Sequence, residues 1–195
     1  MSNGSSGNGM STAVKIVVAG GFGVGKTTFV GSISEIEPVR TEEAMTSVGL
    51  GIDDASQLPD KTATTVTMDF GRIHLSQDLV LYLFGTPGQP RFGFLWDDLT
   101  AGAIGAVVLV DTRRLEDCFA AVDYFEQRDI PFTVAVNRFH GRAHHGLEEV
   151  RDALALSPDR PMTYCDARDR ESTKQALTTL IESAITRAEA RQAVG

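Results

Sequence analysis

Hydrophobic positions along the chain fall in short blocks set between polar, glycine-bearing stretches. Val14–Ala19 (VKIVVA) is apolar on both faces of an extended chain, which predicts a buried parallel strand. A glycine loop follows, then a helix from about Lys26 to Ser34 that Pro38 stops. From Val39 to Thr64 the chain is polar, acidic and dotted with glycine, which predicts a long loop of functional or mobile character. VTMDFGRIHL and LVLYLF read as two strands around Ser76-Gln77-Asp78, a hairpin-like pair. GTPGQPRFG is loop, and Phe94–Ala101 a short helix or irregular turn. Ala103–Val110 predicts a buried strand ending at Asp111, Leu115–Gln127 a helix, and Phe132–Val136 a strand ending at Asn137. Leu147–Leu156 predicts a helix and Met162–Cys165 a last strand. The final helix carries Ser172-x-x-Gln175 as a capping box and a stripe of Leu177, Leu180, Ile181, Ala184 and Ile185.

Strand, loop and helix alternate throughout, so the expected architecture is a doubly wound α/β domain. Its sheet is expected to be mostly parallel, with about six strands and helices on both faces, and binding groups should gather at the carboxyl ends of the strands. Residues 1–12 are rich in Gly, Ser and Asn and are expected to be disordered. Residues 13–187 form the domain, and 188–195 are expected to be a tail.

Bulk properties narrow the classes. The 195 residues suit one domain, and 42% apolar with 23% charged residues is ordinary for a globular protein. A net charge of -8 argues against a nucleic-acid or anionic-lipid coat. Cys118 and Cys165 form no metal-ligand pair and read as reduced core thiols. The start, MSNGSSGNG, lacks the basic and apolar regions of a signal peptide, position 2 is Ser rather than Gly, and no CaaX cysteine is present. The expectation is a cytoplasmic protein with no membrane anchor of its own.

The chemistry begins at GGFGVGKT, residues 20–27, with Thr28 after it. Gly, four residues, then Gly-Lys-Thr is a phosphate-binding loop, and its context of apolar strand before and helix after is the right one. Gly20, Gly23 and Gly25 let the backbone turn its N–H groups onto phosphate oxygens, with Gly21, Phe22 and Val24 completing the cradle. Lys26 would neutralise the β and γ phosphates, Thr27 would ligate magnesium, and the helix start adds its positive end. The motif alone fixes neither base nor reaction.

Thr86-Pro87-Gly88-Gln89, after LVLYLFG, carries a family likeness. It resembles the Asp-x-x-Gly-Gln stretch of Ras-like small GTPases, and the form TPGQ resembles the bacterial gliding-protein (MglA-like) members. Together GGFGVGKTTFVGSISEIEP, LYLFGTPGQ and VVLVDTRR resemble the conservon-type GTPases of actinomycetes. The likeness covers about residues 13–187 and implies a P-loop NTPase fold, GTP and GDP binding with Mg2+, and slow GTP hydrolysis. It implies that the Gly88 amide senses the γ-phosphate and that Gln89 orients the attacking water. Thr65 would be the second magnesium ligand, with Thr64 as rival. Asn137-Arg138-Phe139-His140 stands where the family reads guanine, and Asp166-Ala167-Arg168 matches the loop whose alanine amide meets the guanine carbonyl. The implied partners are a roadblock-fold protein and a sensor-kinase-like membrane protein, the latter able to recruit the chain to the membrane. Triphosphate would order Val39–Thr65 and Gly85–Trp96.

The chain departs from the pattern at four places. His140 replaces an aspartate that accepts two bonds from guanine, and neutral imidazole has one acceptor. Such bonds are worth roughly 1.5–3 kcal/mol each, so ATP stays in contention. Gly85 replaces the acidic group that orients magnesium's water, with Asp111 as a candidate substitute. Pro90 stiffens the segment after Gln89; Arg91 and Arg40 are candidate charge donors in cis. Phe22 sits where these switches keep glycine, and is expected to slow turnover unless it points into the core.

Two other function classes remain. A small-molecule kinase would need an acceptor-binding insertion in residues 39–64, which holds one arginine. A binding module that has lost turnover would explain His140, Gly85 and Pro90 together. Asp69-Phe70-Gly71 spells a kinase signature, but the chain lacks the catalytic-loop set. His140, His144 and His145 read as a solvated loop. Phe92, Phe94, Leu95 and Trp96 read equally as packing beneath the switch and as a docking patch.

Overall fold

A computed structural model describes residues 12–37, 39–45, 64–141 and 145–194, with backbone alone at 39–45, 64–67, 90, 91, 140 and 194. Its strands are β1 (Thr12–Gly20), β2 (Val39–Met45), β3 (Thr64–Ser76), β4 (Leu79–Gly85), β5 (Gly105–Val110), β6 (Phe132–Asn137) and β7 (Met162–Cys165). Its helices are α1 (Lys26–Ile33), α2 (Trp96–Thr100), α3 (Phe119–Gln127), α4 (Leu147–Ala153) and α5 (Arg170–Val194). One sheet takes the order β2-β3-β4-β1-β5-β6-β7. Of these strands β3 alone runs against the rest, since it pairs antiparallel with both β2 and β4.

The alternation along β1 and β5 builds two cores. Ile16 and Val18 of β1, with Val107 and Leu109 of β5, join Phe29, Val30 and Ile33 of α1 and Ala176, Leu177 and Leu180 of α5 on one face. Val17, Ala19, Ala106, Val108 and Val110 turn to the other face and meet Ala121, Val122 and Phe125 of α3 and Val150 of α4. All six residues of β5 and of β6 are buried, as strands covered on both faces must be. Trp96 closes the second core at the start of α2, edge-on to Tyr124 at 5.1 Å.

The sheet has seven strands rather than about six. The extra one is β2, within the stretch expected to be loop. Its cause lies in β3, which is 13 residues long while β4 covers only Asp69–Ser76 of it. The backbone groups of the overhang need partners, and β2 supplies them from Met45↔Thr64 to Val39↔Phe70. Residues 46–63 lie outside the described residues, as do residues 1–11 of the segment expected to be disordered over 1–12, whose last residue, Thr12, begins β1.

α5 begins at Arg170, before the expected Ser172 cap. Asp169 Oδ2 accepts the Ser172 N–H at 2.8 Å, so Asp169 caps the helix. The Ser172 hydroxyl turns instead to accept the Asp166 N–H at 2.9 Å. The helix continues to Val194 through most of the stretch expected as a tail, and Arg187 just before that stretch and Arg191 within it both pair with Asp129. Cys118 and Cys165 are buried, and burial pushes their thiols up to about 12 and about 11. Among the described residues no helix is long and apolar enough to cross a membrane.

Candidate functional site

The loop after β1 turns on three glycines with positive φ: Gly20 at 135°, Gly23 at 73° and Gly25 at 109°. Side-chain-bearing residues are strained there, which is why the motif spends glycine on them. Gly25 leads into α1, whose first turn begins with Lys26. Lys26 is buried, and its Nζ donates to the carbonyls of Gly20 at 2.9 Å and Gly21 at 2.7 Å. Burial pushes its amine down to about 8 against the support of Asp69's charge.

Gly88 closes over this loop. A Cβ there would lie 2.6 Å from Lys26 Nζ and 2.8 Å from Phe22 Cα, so the backbone passes directly against the phosphate cradle. Gln89 is half-buried and leads into a 3₁₀ turn over Pro90–Leu95. Phe92 and Trp96 are buried while Phe94 is 59% exposed, so the aromatic patch is mostly packing with one ring left outside. Phe22 is 64% exposed, which removes the alternative that it points into the core. Arg114 Nη2 donates to the Phe22 carbonyl at 2.8 Å and fixes the backbone of the cradle at that residue.

Asn137, at the end of β6, joins three loops. It is buried; its Nδ2 donates to Val24 O at 2.8 Å, and its Oδ1 accepts the Ala167 N–H at 3.2 Å. A Cβ at Gly25 would lie 2.8 Å from Nδ2, so the third glycine of the loop also makes room for Asn137. A small pocket opens beside this junction, lined by Gly25, Thr28, Asn137, Phe139, Asp166 and Arg168 among others. The Asp166 carboxylate takes Arg168 Nε at 3.0 Å and Nη2 at 2.8 Å, and these bonds hold it below the usual carboxylate range. Arg138 lies over the Tyr164 ring, and Phe139 with the His140 backbone forms a 3₁₀ turn. The His140 side chain, the His144 position and the side chains of Thr64, Thr65, Arg40 and Arg91 lie outside the described residues. The backbone of Thr65 pairs with Ala44 and that of Arg40 with Asp69. His145 is exposed beside Glu149, and no metal-holding group of His, Cys, Asp and Glu forms among the described residues.

Asp111 does not take the place of the missing acidic group. Arg113 occupies it, with Nε at 2.9 Å from Oδ1 and Nη2 at 2.7 Å from Oδ2, and the same guanidinium covers the Phe139 ring at 4.2 Å. These bonds hold the Asp111 carboxyl below its ordinary range. A carboxylate that does reach the loop is Asp69, which the sequence offered as part of a predicted strand and of a misleading kinase signature, without a role of its own. Asp69 is 7% exposed, and its Oδ2 accepts the Thr27 hydroxyl at 2.6 Å. A pairing of the two predicted strands that set Asp69 opposite Gly85 was the signal that could have found it.

A glycine cradle at the carboxyl end of β1, a buried lysine, and an asparagine tying two further loops to it define a P-loop nucleotide-binding domain with the fold of a G domain. The chain belongs to the family described as conserved hypothetical ATP binding protein, whose model matches residues 18–187. An uncharacterized protein of Methanocaldococcus jannaschii is 28% identical over 127 residues, 64% of this chain and 70% of that one. Among solved structures, the G domain of the T. maritima FeoB iron transporter matches with a TM-score of 0.60 at 15% identity, covering 89% of this chain and 99% of that one. The FeoB G domain from Methanococcus jannaschii gives 0.57 at 12% identity, over 90% and 99% of the two chains. The cytosolic domain of T. maritima FeoB in a GDP form gives 0.63 at 15% identity, and this chain spans only 65% of that longer domain. Identities this low establish the fold alone.

Proposed function

We propose that the chain is a small guanine-nucleotide switch that binds GTP and GDP with magnesium and hydrolyses GTP slowly within a bacterial signalling or regulatory complex. The observation that carries this reading is the Asn137 junction, which ties the cradle at Val24 to the loop holding Ala167. The small pocket beside that junction would then take the base, with Asn137, Arg138, His140, Ala167 and Arg168 meeting guanine. The Ala167 N–H is donated to Asn137 Oδ1, so a guanine carbonyl would share it or draw it away.

On the phosphate side, the amides of residues 20–28 would cradle the phosphates and Lys26 would turn its amine from the loop carbonyls onto them. Gly88, already against Lys26, would sense the γ-phosphate, and Gln89 would orient the attacking water. The oxygen-only donor set around Thr27 fits a hard cation such as magnesium, with Thr65 as the expected second ligand. Bound magnesium would neutralise phosphate charge. The outward Phe22 ring would crowd the approach to the γ-phosphate and keep turnover slow. The gliding-protein and conservon likeness supports a cytoplasmic protein with a roadblock-fold partner and a membrane-bound sensor-kinase-like partner.

A second reading is adenine specificity, favoured by the family's description as ATP binding and by the histidine at position 140. Affinities for GDP and ADP measured side by side decide between them. The expected result is GDP tighter by at least about ten-fold, or ~1.4 kcal/mol. Equal affinities sink the guanine assignment. Single-turnover phosphate release, in the wild type and in Phe22→Gly, separates the slow switch from a module without turnover. Release should be slow in the first and faster in the second; none in either leaves the module.

A further inference from the structure

We propose that Arg114 is a positioning residue of the phosphate loop: its guanidinium sits on the outer side of the peptide joining Phe22 to Gly23, and so aims and strengthens the Gly23 N–H as a phosphate donor. This rests on the reading that the loop holds nucleoside phosphates.

Four observations converge. First, the 3₁₀ turn Leu115–Cys118, just after Arg114, packs directly on the loop: a Cβ built on Gly21 would lie 2.5 Å from Asp117 Cβ. From there Arg114 Nη2 donates to the Phe22 carbonyl at 2.8 Å, while Nη1 lies 3.6 Å from Asp117 Oδ2. A Cβ on Gly23 would lie 3.4 Å from the same Nη2, so the guanidinium covers the peptide between residues 22 and 23. Second, the loop's other carbonyls with a side-chain partner are held differently. Lys26 takes those of Gly20 and Gly21, which on the proposed reading it would leave for phosphate, and the neutral Asn137 amide takes that of Val24. Arg114 is then the cation that stays on the loop backbone. Third, the Gly23 N–H has no acceptor among the described residues. The C=O and N–H of a trans peptide point opposite ways, so the bond to Arg114 turns this N–H away from the 3₁₀ turn. Fourth, a Cβ on Gly88 would come within 2.8 Å of Phe22 Cα, whereas Asn137 meets the loop at Val24 and Gly25. The peptide therefore lies at the Gly88 end of the loop, away from the base side.

The chemistry follows from these contacts. A cation on a carbonyl oxygen draws electron density through the amide and makes its N–H a stronger donor. It also fixes the donor's direction before a ligand arrives, so the loop needs no reorganisation when phosphate charge meets it. Arg114 acts through the peptide, from the side opposite the N–H, and need not touch the phosphate itself. The bond has something to hold, because Gly23, at a φ of 73°, is a residue whose backbone turns freely.

The test uses the full chain and measures its affinity for fluorescently labelled GDP, with labelled ADP in parallel. It also records the Gly23 and Gly25 amide resonances of the isotope-labelled, diphosphate-bound protein. Arg114→Gln should weaken diphosphate binding by about 10-fold and move the Gly23 amide proton upfield, while the Gly25 amide stays in place. Arg114→Lys should recover most of the affinity, because it returns a cation to the same carbonyl. If Arg114→Gln does not fold, Arg114→Met takes its place, with a stem of similar length and no charge. Should neither uncharged variant fold while Arg114→Lys does, the charge serves the fold and the assignment is overturned. An affinity within about two-fold of the wild type overturns it too, as do a lysine variant no better than the uncharged one and Gly23 and Gly25 resonances that shift together. Failure of the wild type to bind either nucleotide would instead overturn the reading beneath it.

Discussion

Lys26 shows how burial and function are joined at one atom. Its amine sits at about 8 because it is desolvated, with Asp69 partly opposing the shift. The folded value lies below the ordinary one of 10.5, so the unfolded chain holds more protons between pH 8 and 10.5. In the ligand-free chain this group's contribution to stability therefore rises with pH across that window and is flat below 8. Phosphates arriving at the cradle favour the charged amine and reverse the shift. Nucleotide binding above pH 8 must then take up a proton, and affinity should fall by up to about ten-fold per pH unit there. Calorimetry in two buffers of different ionisation enthalpy reads the uptake directly. Equal affinity from pH 7 to 9.5 with no uptake would show that Lys26 does not meet the phosphates. At this scale the sequence was informative where the chemistry is contiguous: the glycines, Lys26 and Thr27 share one short stretch, while Asn137 ends β6 and Ala167 follows the end of the adjacent β7. It was silent on Asp69, whose partner Thr27 lies 42 residues away and is met only once β3 and β4 pair in register.

The elements divide in the same way. β5 and β6 announced themselves because a strand buried on both faces reads as an unbroken apolar run. β2 did not: VRTEEAM has neither an apolar run nor alternation, and it becomes a strand because β3 overhangs its other neighbour. The start of α5 turned on a choice between two good capping residues three positions apart. The structure uses both, Asp169 for the helix and Ser172 to hold the Asp166 amide. The base-side loop is thus fastened to the helix that follows it. Asp169→Ala should cost about 1 kcal/mol and lower Tm by roughly 2–4 °C. The melting curve, followed by circular dichroism, checks this. An unchanged Tm would mean that the first turn of α5 is held by packing and not by its cap.

For the molecule as a whole, the proposed switch would set a rigid half and a responsive half on one sheet. The carboxyl ends of β1, β4, β6 and β7 carry the groups of the site other than Asp69 and Thr65, which lie on β3, and the fully buried β5 and β6 run through the middle of the same sheet. On the proposed reading a γ-phosphate would add contacts at the rim of the sheet, among them Lys26 and the segment from Gly85 to Trp96. Hydrogen exchange should therefore slow in residues 85–96 when GDP is replaced by a non-hydrolysable GTP analogue, while β5 and β6 keep the same protection in both forms. Trp96 offers an independent reading. It is the sole tryptophan of the chain, is buried at the end of that segment and packs on Tyr124 and Phe125, so its fluorescence follows one place in the fold. A spectral change that tracks the exchange difference is expected. Identical exchange and fluorescence in the two nucleotide states would leave the fold and the binding intact and remove the switch, because a protein that does not distinguish the γ-phosphate has no second state for a partner to select.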